Sequence, residues 1–328
     1  MEQLITALNR MARADLGIFP TPLHRLFNLE RDLKFENIFI KRDDMNGLGP
    51  GGNKVRSLEY ILGGALAANS DTVLVYGPLQ SNLCTLTACA CARLGLKCIS
   101  IHNAEEPEVF DGNQLLNKLL NVESLFIGNV SSEERNQYAA ELAAELKAQG
   151  KKPYIVENGG TTGIGALGYV SAAVELCGQV RDRNLPLKTV FAPGGNGGVA
   201  AGLIYGNALS GFPFEIVIIS VEYDVQALSA NIRQTIGQLE ETLGLPFNYH
   251  LEDSCLISGD YRGQGWGANT MESERFVHRL PQLEGIFIEN IYTSKVLVGL
   301  EDFVAKGKVK DGICYLHTGG GGSLFSQY

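Results

Sequence analysis

A single lysine, Lys54, stands between a glycine-rich turn and a stretch whose apolar residues have helical spacing. The turn covers residues 47–53, and the helical pattern runs from Val55 to Leu66. Free N–H groups and the helix dipole make a helix N-terminus partly positive, which disfavours a cationic amine there. A lysine in this place can therefore serve as a base or a nucleophile. A surface lysine beside a flexible turn is the alternative, and the local sequence leaves both open.

The same turn has the glycine spacing of a phosphate-binding P-loop, G-x-x-x-x-G-K-[ST]. Gly47 and Gly52 fit that spacing, but Asn53 comes between the second glycine and Lys54. Val55 also replaces the hydroxyl residue that would hold magnesium. The sequence therefore argues against a P-loop.

A second glycine-rich turn, residues 194–198, lies between a predicted strand and a predicted helix. Glycines let backbone N–H groups approach an oxyanion, and the following helix adds its dipole, so this turn predicts an anion site. A tight turn that needs positive φ is the structural alternative. A reactive lysine together with a separate phosphate cradle suggests pyridoxal phosphate, held by Lys54 and docked through its phosphate on the glycine turn.

The second turn also fits the dinucleotide fingerprint G-x-G-x-x-A through Gly195, Gly197 and Ala200. Glu222 at the end of the next predicted strand would be its acidic partner. An NAD-dependent dehydrogenase is therefore an alternative, although it leaves Lys54 unexplained.

Gln80, Ser81 and Asn82 open another predicted helix directly after a buried-type strand. Their hydroxyl, amides and free N–H groups suit a substrate carboxylate, and the alternative is a simple helix N-cap. The seven cysteines lack C-x-x-C spacing, so we expect structural thiols and no metal site. Four histidines show no partner pattern and are interpreted as structural: His24, His102, His250 and His278.

Composition places the chain among ordinary globular proteins. It has 328 residues, of which 45% are hydrophobic and 19% charged. The net charge is −9 without a basic run, which argues against nucleic acid and anionic membranes as partners. No run approaches the ~18 to 20 apolar residues of a membrane span. The N-terminus lacks a signal-peptide pattern, so we expect a cytoplasmic protein.

Predicted strands and helices alternate along most of the chain. Strands are predicted at residues 38–40, 71–77, 97–102, 125–128, 154–156, 189–191, 216–221, 286–288 and 313–316. Helices are predicted at residues 1–15, 54–69, 82–95, 113–120, 131–150, 164–180, 199–209, 225–243, 271–280 and 294–305, with a loop at 248–269. This alternation predicts an α/β fold with parallel sheets, whose ligands bind beyond the carboxyl ends of the strands.

Five motifs occur along the chain in a fixed order: GGNKVR at 51–56, QSN at 80–82, GALGY at 165–169, IYTSK at 291–295 and HTGG at 317–320. In this order they resemble the family of D-cysteine desulfhydrase and 1-aminocyclopropane-1-carboxylate (ACC) deaminase. The resemblance implies the two-domain fold of the tryptophan synthase β-subunit group, which is fold type II of the pyridoxal phosphate enzymes. We expect a large cofactor-binding domain of residues 1–47 and 161–328 and a small inserted domain of residues 48–160.

The resemblance also implies a cofactor, pyridoxal 5'-phosphate, and a set of site residues. The cofactor-binding residues would be Lys54, Asn53, Asn196, Gly197, Gly198, Val199, Thr293 and Thr318. The substrate-binding residues would be Gln80, Ser81, Asn82, Thr161 and Trp266. Lys54, which would move the Cα proton, Ser81 and Tyr292 would be the catalytic residues.

Thr293 separates the two activities of the family. ACC deaminases resemble this stretch but carry an acid where Thr293 stands, and an acid would keep the pyridine nitrogen of the cofactor protonated. A neutral threonine makes the ring a milder electron sink, which suits β-elimination. The expected reaction is therefore conversion of D-cysteine to pyruvate, sulfide and ammonia. Deamination of ACC, or another pyridoxal phosphate lyase or deaminase reaction on a related amino acid, is the alternative.

Two residues depart from the family pattern. Leu83 stands where the family usually has histidine, and Trp266 where it has tyrosine. Both changes predict a more apolar pocket, so the substrate need not be D-cysteine, and a catalytically silent binding protein is a further alternative. The resemblance also implies a homodimer that takes a small amino acid.

Overall fold

The chain folds around two β-sheets in a computed structural model that describes residues 1–310 and 312–328, with only the backbone of Asn158. The strands are β1 (Leu23–Arg25), β2 (Ile38–Arg42), β3 (Thr72–Gly77), β4 (Lys97–His102), β5 (Glu123–Phe126), β6 (Pro153–Val156), β7 (Leu187–Gly194), β8 (Glu215–Ser220), β9 (Leu256–Ser258) and β10 (Gly312–His317). The α-helices are α1 (Glu2–Asn9), α2 (Phe27–Leu33), α3 (Asn53–Ala67), α4 (Asn82–Leu94), α5 (Gly112–Leu119), α6 (Ser132–Ala148), α7 (Gly163–Asp182), α8 (Gly198–Leu209), α9 (Val225–Leu243), α10 (Leu251–Ser254), α11 (Met271–Glu284), α12 (Thr293–Ala305) and α13 (Gly321–Leu324).

The larger sheet has the strand order β1-β2-β10-β7-β8-β9. Only β1 runs antiparallel to its neighbour, and the other pairs are parallel. Side chains on the inner strand β10 alternate between two hydrophobic cores. Cys314 and Leu316 lie in one core, and Ile313 and Tyr315 lie in the other. Both faces are therefore covered, as expected for parallel strands with a continuous apolar run.

The smaller sheet has the order β5-β4-β3-β6 and is wholly parallel. Its central strand β3 is also buried on both faces, with Val73 and Val75 in one cluster and Leu74 in another. All four strands lie between residues 72 and 156. This range falls inside the proposed inserted domain, whose boundaries at 48 and 160 stay a prediction.

Most predicted elements form, and the differences are local. Residues 286–288 form no strand, because no described strand pairs with them. Their alternating apolar pattern arises because Ile286 and Ile288 are buried. The predicted loop at 248–269 contains α10 and β9, because Leu256–Ser258 pairs with β8. The sequence did not indicate β1 or α2, and α1 ends at Asn9 rather than near residue 15.

Helix α7 corrects the expectation that nothing resembles a membrane span. Its 20 residues meet the length of such a span, with a mean hydropathy of 1.2 over the most apolar window. Small residues and few charges, rather than a long run of large apolar side chains, give this value. About 61% of that window is buried inside the protein, where α7 packs on α3 and α8. A core helix of a folded protein has these properties.

Candidate active site

A cleft with a volume of about 370 Å³ opens where strands of both sheets end. Residues that follow β3, β4, β6, β7, β8 and β10 line it, so the carboxyl ends of six parallel strands contribute. The volume lies in the usual range for sites that bind small molecules. The topology therefore places the ligand site where parallel sheets are expected to place it.

The cleft brings together nearly all the residues that the sequence predicted for the site. They are Asn53, Lys54, Gln80, Ser81, Asn82, Thr161, Asn196, Gly197, Gly198, Val199, Trp266, Tyr292 and Thr318. Thr293 is not among the lining residues. The structure thus brings these side chains together from distant parts of the chain, while their individual roles stay predictions.

Lys54 is the second residue of α3 and points into the cleft, partly buried. Its Nζ donates a hydrogen bond of 2.6 Å to the carbonyl oxygen of Gly159. Burial lowers the pKa of Lys54 to about 8, although the nearby Glu222 carboxylate acts to raise it. Near neutral pH an appreciable fraction of this amine is therefore unprotonated, as a nucleophile or base requires. A simple surface lysine is excluded.

Two glycine turns hold the start of α3 in place. The Asn53 amide donates a 2.9 Å hydrogen bond to the carbonyl oxygen of Thr318, and Gly52 and Gly319 form a β-bridge. Gly52 has φ of +128°, and a β-carbon there would lie 2.9 Å from the Thr318 oxygen. Only glycine fits this close approach, so the turn before Lys54 and the turn after β10 are positioned together.

The turn at residues 194–198 has the form of an anion cradle. Gly197 is the N-cap of the 12-residue helix α8 and supplies no side-chain cap to its first N–H groups. Gly197 has φ of +101°, so the turn also needs glycine for its own conformation. Asn196, Gly198 and Val199 line the cleft beside these donors. Exposed N–H groups at a helix N-terminus are a suitable place for a phosphate.

These features fit pyridoxal phosphate. Lys54 supplies an amine of lowered pKa for covalent attachment, and the start of α8 supplies phosphate donors in the same cleft. Glu222 also lines the cleft, and its negative charge acts to raise the pKa of Lys54. In the dinucleotide interpretation Glu222 would instead be the acidic partner of the glycine fingerprint, and Lys54 would have no role.

The start of α4 is consistent with both interpretations of its sequence, a helix N-cap and a site for a substrate carboxylate. Ser81 is the N-cap, and its Oγ accepts a 3.3 Å hydrogen bond from the Cys84 amide. Asn113 donates a 2.8 Å hydrogen bond from its side-chain Nδ2 to Asn82 Oδ1. Its backbone N–H donates another of 2.8 Å to Gln80 Oε1. Gln80, Ser81 and Asn82 are therefore fixed by hydrogen bonds and still line the cleft.

Tyr292 and Trp266 meet on the other side of the cleft. Trp266 Nε1 donates a 2.7 Å hydrogen bond to the Tyr292 hydroxyl. Burial raises the pKa of Tyr292, and the Glu222 carboxylate raises it further. The Tyr292 hydroxyl is thus neutral near pH 7 and keeps its own proton for donation.

Thr293 is not among the residues that line the cleft, and its expected role toward the cofactor stays a prediction. It is fully buried, and its hydroxyl donates a 2.8 Å hydrogen bond to Glu289 Oε1. Glu289 lines the cleft instead and accepts hydrogen bonds from the backbone N–H groups of Ile291, Tyr292 and Thr293. These bonds tie the carboxylate to the first turn of α12, because a free carboxylate is stabilised at a helix N-terminus.

Sequence reasoning missed six polar residues of the cleft and gave Glu222 a different role. The six are Ser57, Asn103, Ser132, Arg135, Glu289 and Ser323. Asn103 directly follows β4 and Glu222 is the second residue after β8, so the ends of predicted strands were the available signal. Arg135 lies on α6 and had no such signal. Leu83 and Trp266 line the cleft together with these polar side chains, and the expectation of a pocket more apolar than the family pattern stays a prediction.

The remaining candidates lie outside the cleft. The four histidines interpreted as structural are not among its lining residues. The seven cysteines are free thiols, and burial raises the pKa of Cys84 to about 12. Across residues 1–310 and 312–328, no group of three or more His, Cys, Asp or Glu residues is placed to hold a metal ion.

Comparison with known proteins supports this picture along the whole chain. A protein of Pyrococcus abyssi that carries the provisional name 1-aminocyclopropane-1-carboxylate deaminase is 35% identical, covering 97% of this chain and 94% of its own. The D-cysteine desulfhydrase of Yersinia enterocolitica is 34% identical, covering 98% of this chain and 97% of its own. Relatives with both names therefore match at nearly the same identity.

Solved structures agree with the predicted fold class. The crystal structure of an ACC deaminase homologue superimposes with a TM-score of 0.90 at 32% identity, covering 99% of this chain and 97% of the other. A threonine deaminase from Solanum lycopersicum has a TM-score of 0.69 at 15% identity, covering 97% and 84% of the two chains, and supports the fold alone. The α/β fold of type II is thus confirmed.

The family comparison also confirms the cofactor. Residues 14–319 match the family described as pyridoxal-phosphate dependent enzyme, which includes Lys54, the cradle before α8 and Thr318. The match supports the pyridoxal phosphate interpretation of the glycine turn over the dinucleotide one. The chain belongs to the pyridoxal-phosphate dependent enzyme family, as a lyase of the ACC deaminase and D-cysteine desulfhydrase type.

Proposed function

We propose that this enzyme catalyses β-elimination and deamination of a small amino acid, with D-cysteine as the first candidate substrate. D-cysteine and water would give pyruvate, ammonia and hydrogen sulfide. One observation carries the proposal: the Lys54 amine, with its pKa lowered to about 8, shares a cleft with the α8 cradle and the Gln80–Asn82 segment. These are the groups that an amino acid reaction with this cofactor needs.

The bound cofactor supplies an electron sink that acidifies the Cα–H bond of an amino acid. Lys54 would hold the cofactor at rest and take the proton from Cα as a base. Ser81 and Asn82 would bind the substrate carboxylate, with Gln80 beside them and Thr161 near the substrate. Tyr292 would donate from its hydroxyl close to the substrate, and Asn196 to Val199 would hold the phosphate through backbone N–H groups.

Thr293 supports elimination over ring opening of ACC. Its side chain is neutral, and its hydroxyl is committed to Glu289. The Glu289 carboxylate is in turn committed to N–H groups of α12. A role for Thr293 toward the pyridine nitrogen, through its position at the start of α12, stays part of the proposal. ACC deamination is the second candidate because a relative of similar identity carries that name.

The test begins with the visible absorption of the purified protein before and after addition of D-cysteine, with parallel assays of pyruvate and sulfide. We expect a cofactor band that changes on addition while both products appear. Lys54→Ala should abolish covalent attachment and turnover, whereas Lys188→Ala, which changes an exposed lysine, should retain both.

The other outcomes each point elsewhere. Release of 2-oxobutanoate and ammonia from ACC, without sulfide from D-cysteine, would move the assignment to the deaminase. Bound cofactor without keto acid from any amino acid tested would indicate a silent binding protein. Turnover that survives Lys54→Ala would overturn the mechanism. A homodimer in the cytoplasm stays a prediction, which gel filtration with light scattering and cell fractionation would test.

A further inference from the structure

Arg135 is a buried cation in the cleft that the proposed mechanism does not use. It lies in the first turn of α6 and is only 2% exposed. It lines the cleft together with Ser81, Asn103 and Ser132, on the side where the substrate carboxylate is expected. A guanidinium removed from water needs compensating partners, because burying an unpaired charge is costly.

The partners of Arg135 within the protein are neutral and incomplete. Its Nη1 donates a 2.9 Å hydrogen bond to Asn103 Oδ1, and Nη2 makes a longer contact of 3.4 Å with Asn136 Oδ1. The Tyr76 ring lies 5.2 Å from its Cζ. Among the described residues, Nε has no hydrogen-bond partner and no carboxylate forms an ion pair with this side chain. The guanidinium fork therefore keeps donors for an anion.

The other charges of the cleft are already balanced. Lys54 and Glu222 both line the cleft, and each charge shifts the pKa of the other group toward its charged form. Glu289 is held by N–H groups of α12. Hydrogen bonds from Asn113 fix Gln80 and Asn82 beside Ser81. In the proposed function this segment binds the α-carboxylate of the substrate, so that carboxylate does not need Arg135. Arg135 is thus the cleft cation that still lacks an anionic partner in the described part of the chain.

We propose that Arg135 binds an anionic group on the β-substituent of the substrate, so that the substrate class is an amino acid with a second negative charge. The inference rests on the proposed β-elimination and specifies its leaving group. When the Cα proton is removed, the Cβ–X bond breaks with its electron pair on X, and Arg135 stabilises X as an anion. Water then replaces the nitrogen of the remaining fragment, which gives pyruvate and ammonia. A phosphate ester of serine is one substrate of this chemistry.

The first experiment measures binding without turnover. Aspartate and asparagine have nearly the same shape, but only aspartate carries the second charge, and neither has a β-substituent that leaves with an electron pair. Both enantiomers of each are titrated calorimetrically into the cofactor-loaded enzyme. We expect one enantiomer of aspartate to bind about tenfold or more tightly than the matching asparagine, as for a charge-assisted hydrogen bond in a buried site.

Variants then assign the preference to Arg135. Arg135→Met should remove the advantage of aspartate while the Kd of asparagine stays within about twofold. Arg135→Lys, which keeps the charge but loses the planar fork, should retain part of it. Lys147→Met on the same helix removes one exposed charge and is the matched control, with no expected change. The wild-type comparison remains informative even where Arg135→Met does not fold.

Two results would overturn the proposal. Equal affinity of the wild type for aspartate and asparagine means that no second anion is recognised. An equal loss for both ligands in Arg135→Met would place the α-carboxylate on Arg135 instead. Failure of the proposed function looks different, because pyruvate would not form from D-cysteine or O-phosphoserine while the preference for aspartate persisted. With turnover, Arg135→Met should lower kcat/KM for O-phosphoserine about tenfold or more relative to kcat/KM for D-cysteine, whose β-substituent is uncharged before the Cβ–X bond breaks.

Discussion

The indole of Trp266 donates a 2.7 Å hydrogen bond to the hydroxyl of Tyr292, so two residues of the cleft act as one unit. The resemblance implies a tyrosine at the position of Trp266, and Trp266 is 46% exposed. The indole adds a polar contact as well as apolar surface, because its N–H orients the hydroxyl that we propose to lie close to the substrate. The Tyr292 hydroxyl accepts from Trp266, and its own proton remains directed elsewhere.

Trp266→Phe should therefore impair catalysis more than binding. The variant keeps the aromatic ring but removes the donor, which frees the Tyr292 hydroxyl to rotate and raises the pKa of Tyr292 further. We expect kcat to fall by about tenfold, the loss of one oriented hydrogen bond, with KM nearly unchanged. Steady-state kinetics with the best substrate measure this, and Phe287→Leu at an exposed site is the control. A fall in affinity with unchanged kcat would contradict the orienting role.

The pH dependence of cofactor attachment should follow Lys54. Only the neutral amine attacks the cofactor aldehyde, so the rate at which cofactor-free protein takes up pyridoxal phosphate should rise with pH around a midpoint of about 8. Glu222→Gln removes the carboxylate that raises the pKa of Lys54, so the midpoint should move to lower pH. Stopped-flow absorbance measures both profiles. An upward movement of the midpoint would show that Glu222 does not act through Lys54.

Lys54 also links pH to the stability of the cofactor-free protein. Its pKa is lower in the folded state, at about 8, than in the unfolded chain, at about 10.4. Between these values the unfolded state binds more protons, so this group makes stability rise with pH in that window. Lys54→Met should abolish this contribution, which urea unfolding at a series of pH values would reveal. An unchanged slope in the variant would contradict the lowered pKa.

A buried ionic cluster beneath α3 should control stability. Arg56 donates from Nε and Nη2 to both oxygens of Asp43, each at 2.8 Å, and from Nη1 to Glu175. Burial alone would raise the pKa of Asp43, but the Arg56 guanidinium outweighs it and lowers that pKa. Arg56→Met would leave Asp43 without its ion-pair partner, while Glu175 keeps its ion pair with Lys41, and should cost about 3–5 kcal/mol of unfolding free energy.

Chemical denaturation at neutral pH measures the Arg56→Met effect. Arg181→Met removes an exposed ion pair with Asp182 and should cost less than about 1 kcal/mol. Because the pKa of Asp43 is lowered in the folded protein, its contribution should be lost only as the pH falls below about 3.9 and through the folded pKa. A cost for Arg56→Met no larger than that for Arg181→Met would show that the cluster contributes little.

Gly197 should be needed for the cofactor as well as for the turn. Gly197→Ala places a side chain at φ of +101° and a β-carbon 3.4 Å from Asn231 and Ile232, beside the proposed phosphate donors. We expect roughly 1–2 kcal/mol of strain and a weaker affinity for pyridoxal phosphate. Gly244→Ala has similar strain at φ of +64° in open space and should lose stability without losing cofactor affinity. Equal cofactor affinity in the two variants would argue against the cradle.

The sequence by itself determined the alternation of strands and helices, the glycine turns and the family. Local patterns suffice there, because a buried parallel strand is a short apolar run and a turn with positive φ needs glycine. The sequence did not show whether Ile286 and Ile288 are only buried or also belong to a strand, since a strand exists only where another strand supplies hydrogen bonds.

The tertiary structure alone decided which side chains meet. Glu222 and Lys54 share the cleft, and Glu289 accepts a hydrogen bond from the hydroxyl of Thr293. Arg135 lines the cleft and forms no ion pair with a carboxylate among the described residues. Each of these depends on where α3, α6 and α12 lie across the ends of two sheets, which spacing along the chain does not encode. Charge and burial act through space, so the electrostatics of this site became visible only once the chain was folded.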